Sequence, residues 1–203
     1  YPVKALDRLI MAFVVAIEKM GGAETLRDAW KLRLVGPDQA GHMAELMALC
    51  DRLGLSYSTP EGKYFRHSIA TASNNNSSSP QVEFAGPKFG KDVDAEYANC
   101  DALALVSHTE NFGATVVDAL AHGKPVITST KTPWKIVEDH ECGWWVDNDV
   151  NALGAAVFQL LNCSASQRRA MGKNGLQLVR DRFTWSAVTR SIESAYESAT
   201  LVC

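Results

Sequence analysis

Strands alternating with helices along the 203 residues predict an α/β domain with a doubly wound, mainly parallel sheet. Three observations carry this. The apolar runs Leu32–Val35, Val82–Ala85, Asp101–Val106 and Val126–Ser129 have strand length and are rich in β-branched or aliphatic residues. Each is followed by Gly, Pro, Ser or charge, and then by a stretch with helical periodicity. The composition, 46% hydrophobic, is enough for one full core, so residues 1–203 read as a single domain.

In chain order, the first helix is expected over Lys4–Met20, followed by a polar insertion, Gly21–Trp30. The Leu32–Val35 strand leads to a helix at Gly41–Leu53. Residues Ser56–Gln81 read as a long mobile insertion, because Asn74–Pro80 (NNNSSSP) has no apolar area to bury. After the Val82–Ala85 strand comes a short helix, Val93–Asn99, which Tyr97 and Cys100 should pack against the sheet. The Asp101–Val106 strand precedes a helix at Ala114–His122. Its end is marked by His122, which complements the helix dipole, and by Gly123, which leaves in the left-handed region. The Val126–Ser129 strand, a helix at Trp134–Asp139 and the apolar Trp144–Val146 follow. Trp144 and Trp145 are adjacent, so a strand would send one inward to the core and the other outward, toward a partner domain. Helices at Asn151–Leu161, Ala165–Arg182 and Ser186–Ala199 close the chain, with Arg168, Arg169, Arg180 and Arg182 on solvated faces.

Several functions are excluded. A formal net charge of −3 offers no electrostatic case for nucleic acid. No run approaches the roughly 18 apolar residues of a membrane span. The five cysteines are scattered without CxxC spacing, which implies reduced thiols in a cytoplasmic protein rather than a disulfide framework or zinc site. The histidines show no HxH or HExxH pattern, so no metal is expected. A dinucleotide-dependent oxidoreductase would need a GxGxxG after a strand, and none is present. The chain starts inside a motif and without Met, as a fragment would.

The stretch from Asp101 to Ser129 carries the chemistry. A helix starting near Gly113 leaves the first N–H groups, those of Gly113, Ala114, Thr115 and Val116, without intrahelical acceptors. These donors and the helix dipole favour an anion such as phosphate, and Gly113 lets it come close to the backbone. Glu110 lies in the preceding loop. Asp118 lies on the helix and leans back over its first turn. Two carboxylates beside a phosphate site suit a ligand with both hydroxyls and phosphates. Taken singly, each would read as ordinary surface charge.

Glu110, Phe112–Gly113 and Asp118 resemble the donor-site motif of retaining GT-B glycosyltransferases of glycosyl transferases group 1, or family 4. The second acid of that motif is usually Glu; here Asp118 keeps the charge and shortens the reach by one methylene. Tyr1–Ile10 (YPVKALDRLI), Lys31–Pro37, Val82–Pro87, Glu96–Ser107, Gly143–Val146 and Phe183–Trp185 follow the family order, with Ala5 where a glycine is usual. The resemblance implies the C-terminal, donor-binding half of a GT-B fold, a Rossmann-like domain whose N-terminal acceptor-binding domain is absent from this chain. Lys4, Glu110, Asn111, Phe112, Gly113, Ala114 and Thr115 would hold the donor sugar and diphosphate. Glu110 would be the catalytic carboxylate and Asp118 would take the ribose. Gly86, Pro87 and Lys88 would lie near the nucleobase. Trp134 would either wall the sugar site or anchor its helix.

The implied activity is hexosyl transfer from a UDP- or GDP-linked sugar to a glycan, lipid or other acceptor, with no cofactor and no metal. The implied location is the cytoplasm, including the cytoplasmic membrane face. Two alternatives stay open, a non-catalytic interaction module on the same scaffold and half of a sugar-nucleotide epimerase.

Overall fold

A computed structural model describes residues 2–21, 30–65 and 81–200. The interior of the expected Gly21–Trp30 insertion and residues 66–80, with Asn74–Pro80, lie outside the described residues. A 3-10 turn (Pro2–Lys4) opens the fold. It is followed by α1 (Leu6–Lys19), β1 (Leu32–Val35), α2 (His42–Arg52), β2 (Tyr57–Ser58), β3 (Tyr64–Phe65) and β4 (Val82–Gly86). Next come α3 (Lys91–Asn99), β5 (Leu103–Leu105), α4 (Ala114–Ala121), β6 (Val126–Ser129), α5 (Ile136–Asp139) and β7 (Gly143–Val146). Three helices, α6 (Val150–Asn162), α7 (Ala165–Arg182) and α8 (Trp185–Thr200), complete it.

Hydrogen bonding divides the strands into two ladders, β1-β4-β2-β3 and β5-β6-β7. Every pair is parallel except β2–β3. The mainly parallel α/β architecture therefore matches the sequence expectation. The segment from Ser56 does not: β2 pairs with β4 and β3 turns back on it, where only an insertion was expected. Tyr57 explains the pairing. It is 3% exposed, stacks on Phe65 at 5.0 Å and meets Phe84 edge-on at 6.0 Å. Two-residue strands show no alternation for a sequence pattern to reveal.

Both faces of the parallel strands are covered. On β6, Val126 faces the core of α4, α5 and α7, with Val116, Leu120, Val137 and Leu178. Its neighbour Ile127 faces the core of α1, α2 and α6, with Leu9, Phe13, Leu46 and Leu153. The same alternation corrects the reading of β7. Trp144 packs on the α1 side and Trp145 on the α4 side, so each is partly buried against a layer of this fold. Their indole N–H groups donate to Gln159 Oε1 at 2.7 Å and Thr132 O at 3.2 Å.

Close helix contacts set this geometry. On α6, a Cβ added at Gly154 would lie 2.7 Å from Val15 Cγ1 of α1. On α7, one at Gly172 would fall inside the carbonyl of Gly123, the residue that ends α4 at φ +67°. Asp149 caps α6 by accepting from the N–H groups of Asn151 and Ala152, and Ser164 and Gln167 form a capping box on α7. Arg168 is not on a solvated face. It pairs with Asp101 at 3.2 Å and lies 4.9 Å over the Trp30 ring.

Candidate functional site

The Pro2–Lys4 turn and the loops after β5 and β6 are stitched together at one edge. The His108 N–H donates to Val3 O at 2.8 Å, and the Ser129 hydroxyl donates to Ser107 O at 2.7 Å. This places Lys4 Nζ 2.6 Å from Glu110 Oε2, an ion pair whose side chains are 41% and 17% exposed. The two residues that the sequence reading assigned to diphosphate and sugar are thus in direct contact.

Behind them the loop is fixed by packing. Gly113 has φ 78°, and a Cβ there would lie 2.7 Å from Leu105 Cδ2 and 3.2 Å from Glu110 Cγ. The position therefore needs glycine for both conformation and space. Trp134 Nε1 donates to Phe112 O, and its ring lies 5.5 Å from that of Phe112 and 5.2 Å from that of Phe183. Trp134 is 1% exposed, so of its two expected roles it is the anchor beneath the loop and not a wall of the site. Asn111, Phe112, Ala114 and Thr115 are exposed, and no side chain caps α4. The first N–H groups of the helix stand at the open edge beside Glu110.

Asp118 is exposed on α4, and its charge acts on the Tyr97 phenol of α3. Burial, and then the Asp118 charge, push the Tyr97 phenol up to about 12. The His122 ring stacks on Tyr97 at 5.2 Å, with its Nδ1 2.7 Å from Asp118 O. Tyr97 was read from sequence only as packing; its place one short helix away from an acidic residue gave no signal of this contact.

Gly86 ends β4 and Pro87 follows it, and Lys88 Nζ lies 3.9 Å from Glu96 Oε1. Glu96 accepts two hydrogen bonds from Arg33, both 2.7 Å, and Arg33 also pairs with Glu83 on the neighbouring strand. The guanidinium holds the Glu96 carboxyl below its ordinary range and is itself raised above its own. The structure thus joins Lys4, Glu110 and the start of α4, sets Asp118 against Tyr97, and ties Lys88 to α3.

Cys50, Cys100, Cys142 and Cys163 are free thiols; burial pushes Cys50 up to about 12 and Cys142 to about 11. Among the described residues, no three His, Cys, Asp or Glu side chains come together as a metal would require. Nor is any described helix long and apolar enough to cross a membrane.

These features define a class, a mainly parallel α/β domain that brings a cation, a carboxylate and an uncapped helix start to one strand edge. The chain belongs to the family described as Glycosyl transferases group 1, whose pattern matches residues 1–178. It is 32% identical over 121 residues to a D-inositol 3-phosphate glycosyltransferase of Corynebacterium kroppenstedtii, covering 59% of this chain and 27% of that protein. Its fold is similar to Anabaena HepE, crystallised with UDP and glucose (TM-score 0.67, 20% identity, 98% of this chain and 46% of that one). It is also similar to the C-terminal domain of the group 1 protein LpcC of Francisella tularensis (TM-score 0.66, 19% identity, 91% of this chain and 82% of that one). The chain spans less than half the length of the first two.

Proposed function

We propose that this chain binds the nucleoside-diphosphate-sugar donor of a retaining hexosyltransferase. A glycan, lipid or other hydroxyl-bearing acceptor is bound by a separate N-terminal domain. The observation that carries this reading is the Lys4–Glu110 ion pair beside the uncapped start of α4. It puts a cation, a carboxylate and backbone donors within one ligand's reach.

On donor binding, the diphosphate takes Lys4 from Glu110 and meets the N–H groups of Gly113, Ala114 and Thr115, near Asn111 and Phe112. Negative charge grows on the diphosphate as the bond to the sugar breaks, and these fixed donors stabilise it without a metal or cofactor. The released Glu110 accepts a sugar hydroxyl and faces the oxocarbenium-like centre with its charge. Asp118 accepts from the ribose diol, and the base lies toward Gly86, Pro87 and Lys88. The protein works in the cytoplasm, including the cytoplasmic face of the membrane.

HepE was crystallised with UDP and glucose, so UDP-glucose is the first donor to try, followed by GDP- and ADP-linked sugars. Calorimetric titration of the whole protein checks the assignment. One nucleotide should saturate, Asp118→Ala should weaken it about tenfold, and Glu110→Ala should weaken only the sugar conjugate. Absence of any binding up to millimolar ligand would favour the non-catalytic interaction module.

A further inference from the structure

We infer that the segment between β4 and α3 selects the donor's base, with Phe89 stacking on the ring and Lys88 donating to a ring carbonyl. Uracil and guanine are thereby preferred to cytosine and adenine. The inference deepens the donor reading above and rests on it.

Phe89 supplies the apolar contact. It follows β4 at the carboxyl edge of the parallel strands and is 77% exposed. Val35, at the end of the neighbouring β1 and paired with Gly86, is 47% exposed. Neither belongs to either core. The segment is pinned at both ends, since the Gly36 N–H donates to Gly86 O at 3.0 Å and the Asp92 N–H to Phe89 O at 3.2 Å. An aromatic ring held in this way offers a flat face on which any base can stack.

Lys88 supplies the selectivity. Its Nζ lies 3.9 Å from Glu96 Oε1, its one ion-pair partner among the described residues and beyond hydrogen-bonding distance. Glu96 is already engaged, because its two oxygens accept from Arg33 at 2.7 Å each. Glu83 is engaged too, by Arg33 and by Lys31 at 3.1 Å. Three cations thus share two carboxylates, and the spare charge is the ammonium of Lys88. An ammonium has N–H donors only and cannot accept. Uracil and guanine hold a carbonyl oxygen where cytosine and adenine hold an amino group. The first pair sets an acceptor against Lys88, and the second sets donor against donor.

The fold leads a nucleotide to this segment. The α3 helix opens two residues after Phe89 and packs on α4 through the Tyr97–His122 stack at 5.2 Å. A ligand with its phosphates at the start of α4 and its ribose at Asp118 extends its base toward the start of α3.

The test titrates the whole protein calorimetrically with UDP, CDP, GDP and ADP. In whichever ring size the site admits, the carbonyl-bearing nucleotide should bind about tenfold tighter than its amino counterpart, ~1.4 kcal/mol. Lys88→Met should shrink that gap to about twofold, chiefly by weakening the carbonyl-bearing member. Phe89→Ala should weaken the favoured nucleotide about tenfold, and Phe89→Trp should keep its affinity. Should Lys88→Met fail to fold, the comparison of UDP with CDP on the unaltered protein still decides. Equal affinity within each pair, or preference for CDP or ADP, overturns the inference and leaves the donor reading standing. So does an equal loss for all the nucleotides in Lys88→Met, which would put the lysine on the phosphates. Absence of binding by any nucleotide removes the donor reading, and this inference with it.

Discussion

At residue scale, the site depends on backbone conformations that few side chains tolerate. Gly113→Ala should destabilise the protein by about 2 kcal/mol in urea unfolding, from the left-handed φ and the clash with Leu105. It should also weaken sugar-nucleotide binding. Ala5 occupies the place where the family usually has glycine, and it bears φ 50° while fully buried. Its buried methyl, worth about 0.8 kcal/mol, offsets part of the roughly 1–2 kcal/mol strain. Tyr97 gives a spectroscopic handle. Its folded pKa, about 12, lies above an ordinary tyrosine's ~10. The stability it contributes is therefore complete below about pH 10 and is lost as pH rises toward 12. Ultraviolet titration should show this late phenol, and Asp118→Asn should move it only part of the way down, because burial is the larger cause.

At the scale of elements, legibility followed periodicity. The α7 bounds agree with the expected Ala165–Arg182, and β6 with Val126–Ser129, because long helices and buried strands repeat their pattern. The α1 start was set too early, since Pro2–Lys4 forms a separate turn and Ala5 breaks into the left-handed region before the helix. Arg168 was misread because its partners, Asp101 and Trp30, come from distant segments that no local pattern connects.

The Arg33–Glu83–Glu96 group went unread in the sequence. Leu32-Arg33-Leu34 and Val82-Glu83-Phe84 share one alternation, and the register pairs Arg33 with Glu83. Burial alone would raise the Glu83 carboxyl, but Arg33 and Lys31 overrule it and hold it low. Glu96 is lowered chiefly by its Arg33 hydrogen bonds. Both folded pKa values lie below the unfolded ones, so this stability is present above about pH 4.5 and is lost as pH falls through the folded values. Arg33→Met should cost about 2 kcal/mol at pH 7, and less in acid; urea unfolding at pH 7 and pH 4 measures the difference.

For the whole molecule, the family and the mainly parallel fold were readable because an ordered set of short motifs spans the chain. The contact between Lys4 and Glu110 was not readable, because it depends on how the turn before α1 is stitched to the loop after β5. The chain covers 46% of HepE, so on the proposed reading residues 1–203 alone should bind nucleotide weakly and transfer no sugar. A radiolabelled-transfer assay of this segment beside the whole protein checks this, and turnover by the segment alone would refute it.

The Lys4–Glu110 pair also bears on how the proposed site would resist decoys in a crowded cell. When empty, its cation and anion satisfy each other. Inorganic phosphate that captures Lys4 strands Glu110 without its ammonium partner. A free sugar that approaches Glu110 must compete with an ammonium. Only a molecule carrying phosphate and hydroxyls on one frame replaces both halves of the bond at once. On the proposed reading the pair would work as a two-key lock, disfavouring inorganic phosphate and free sugar before any chemistry begins.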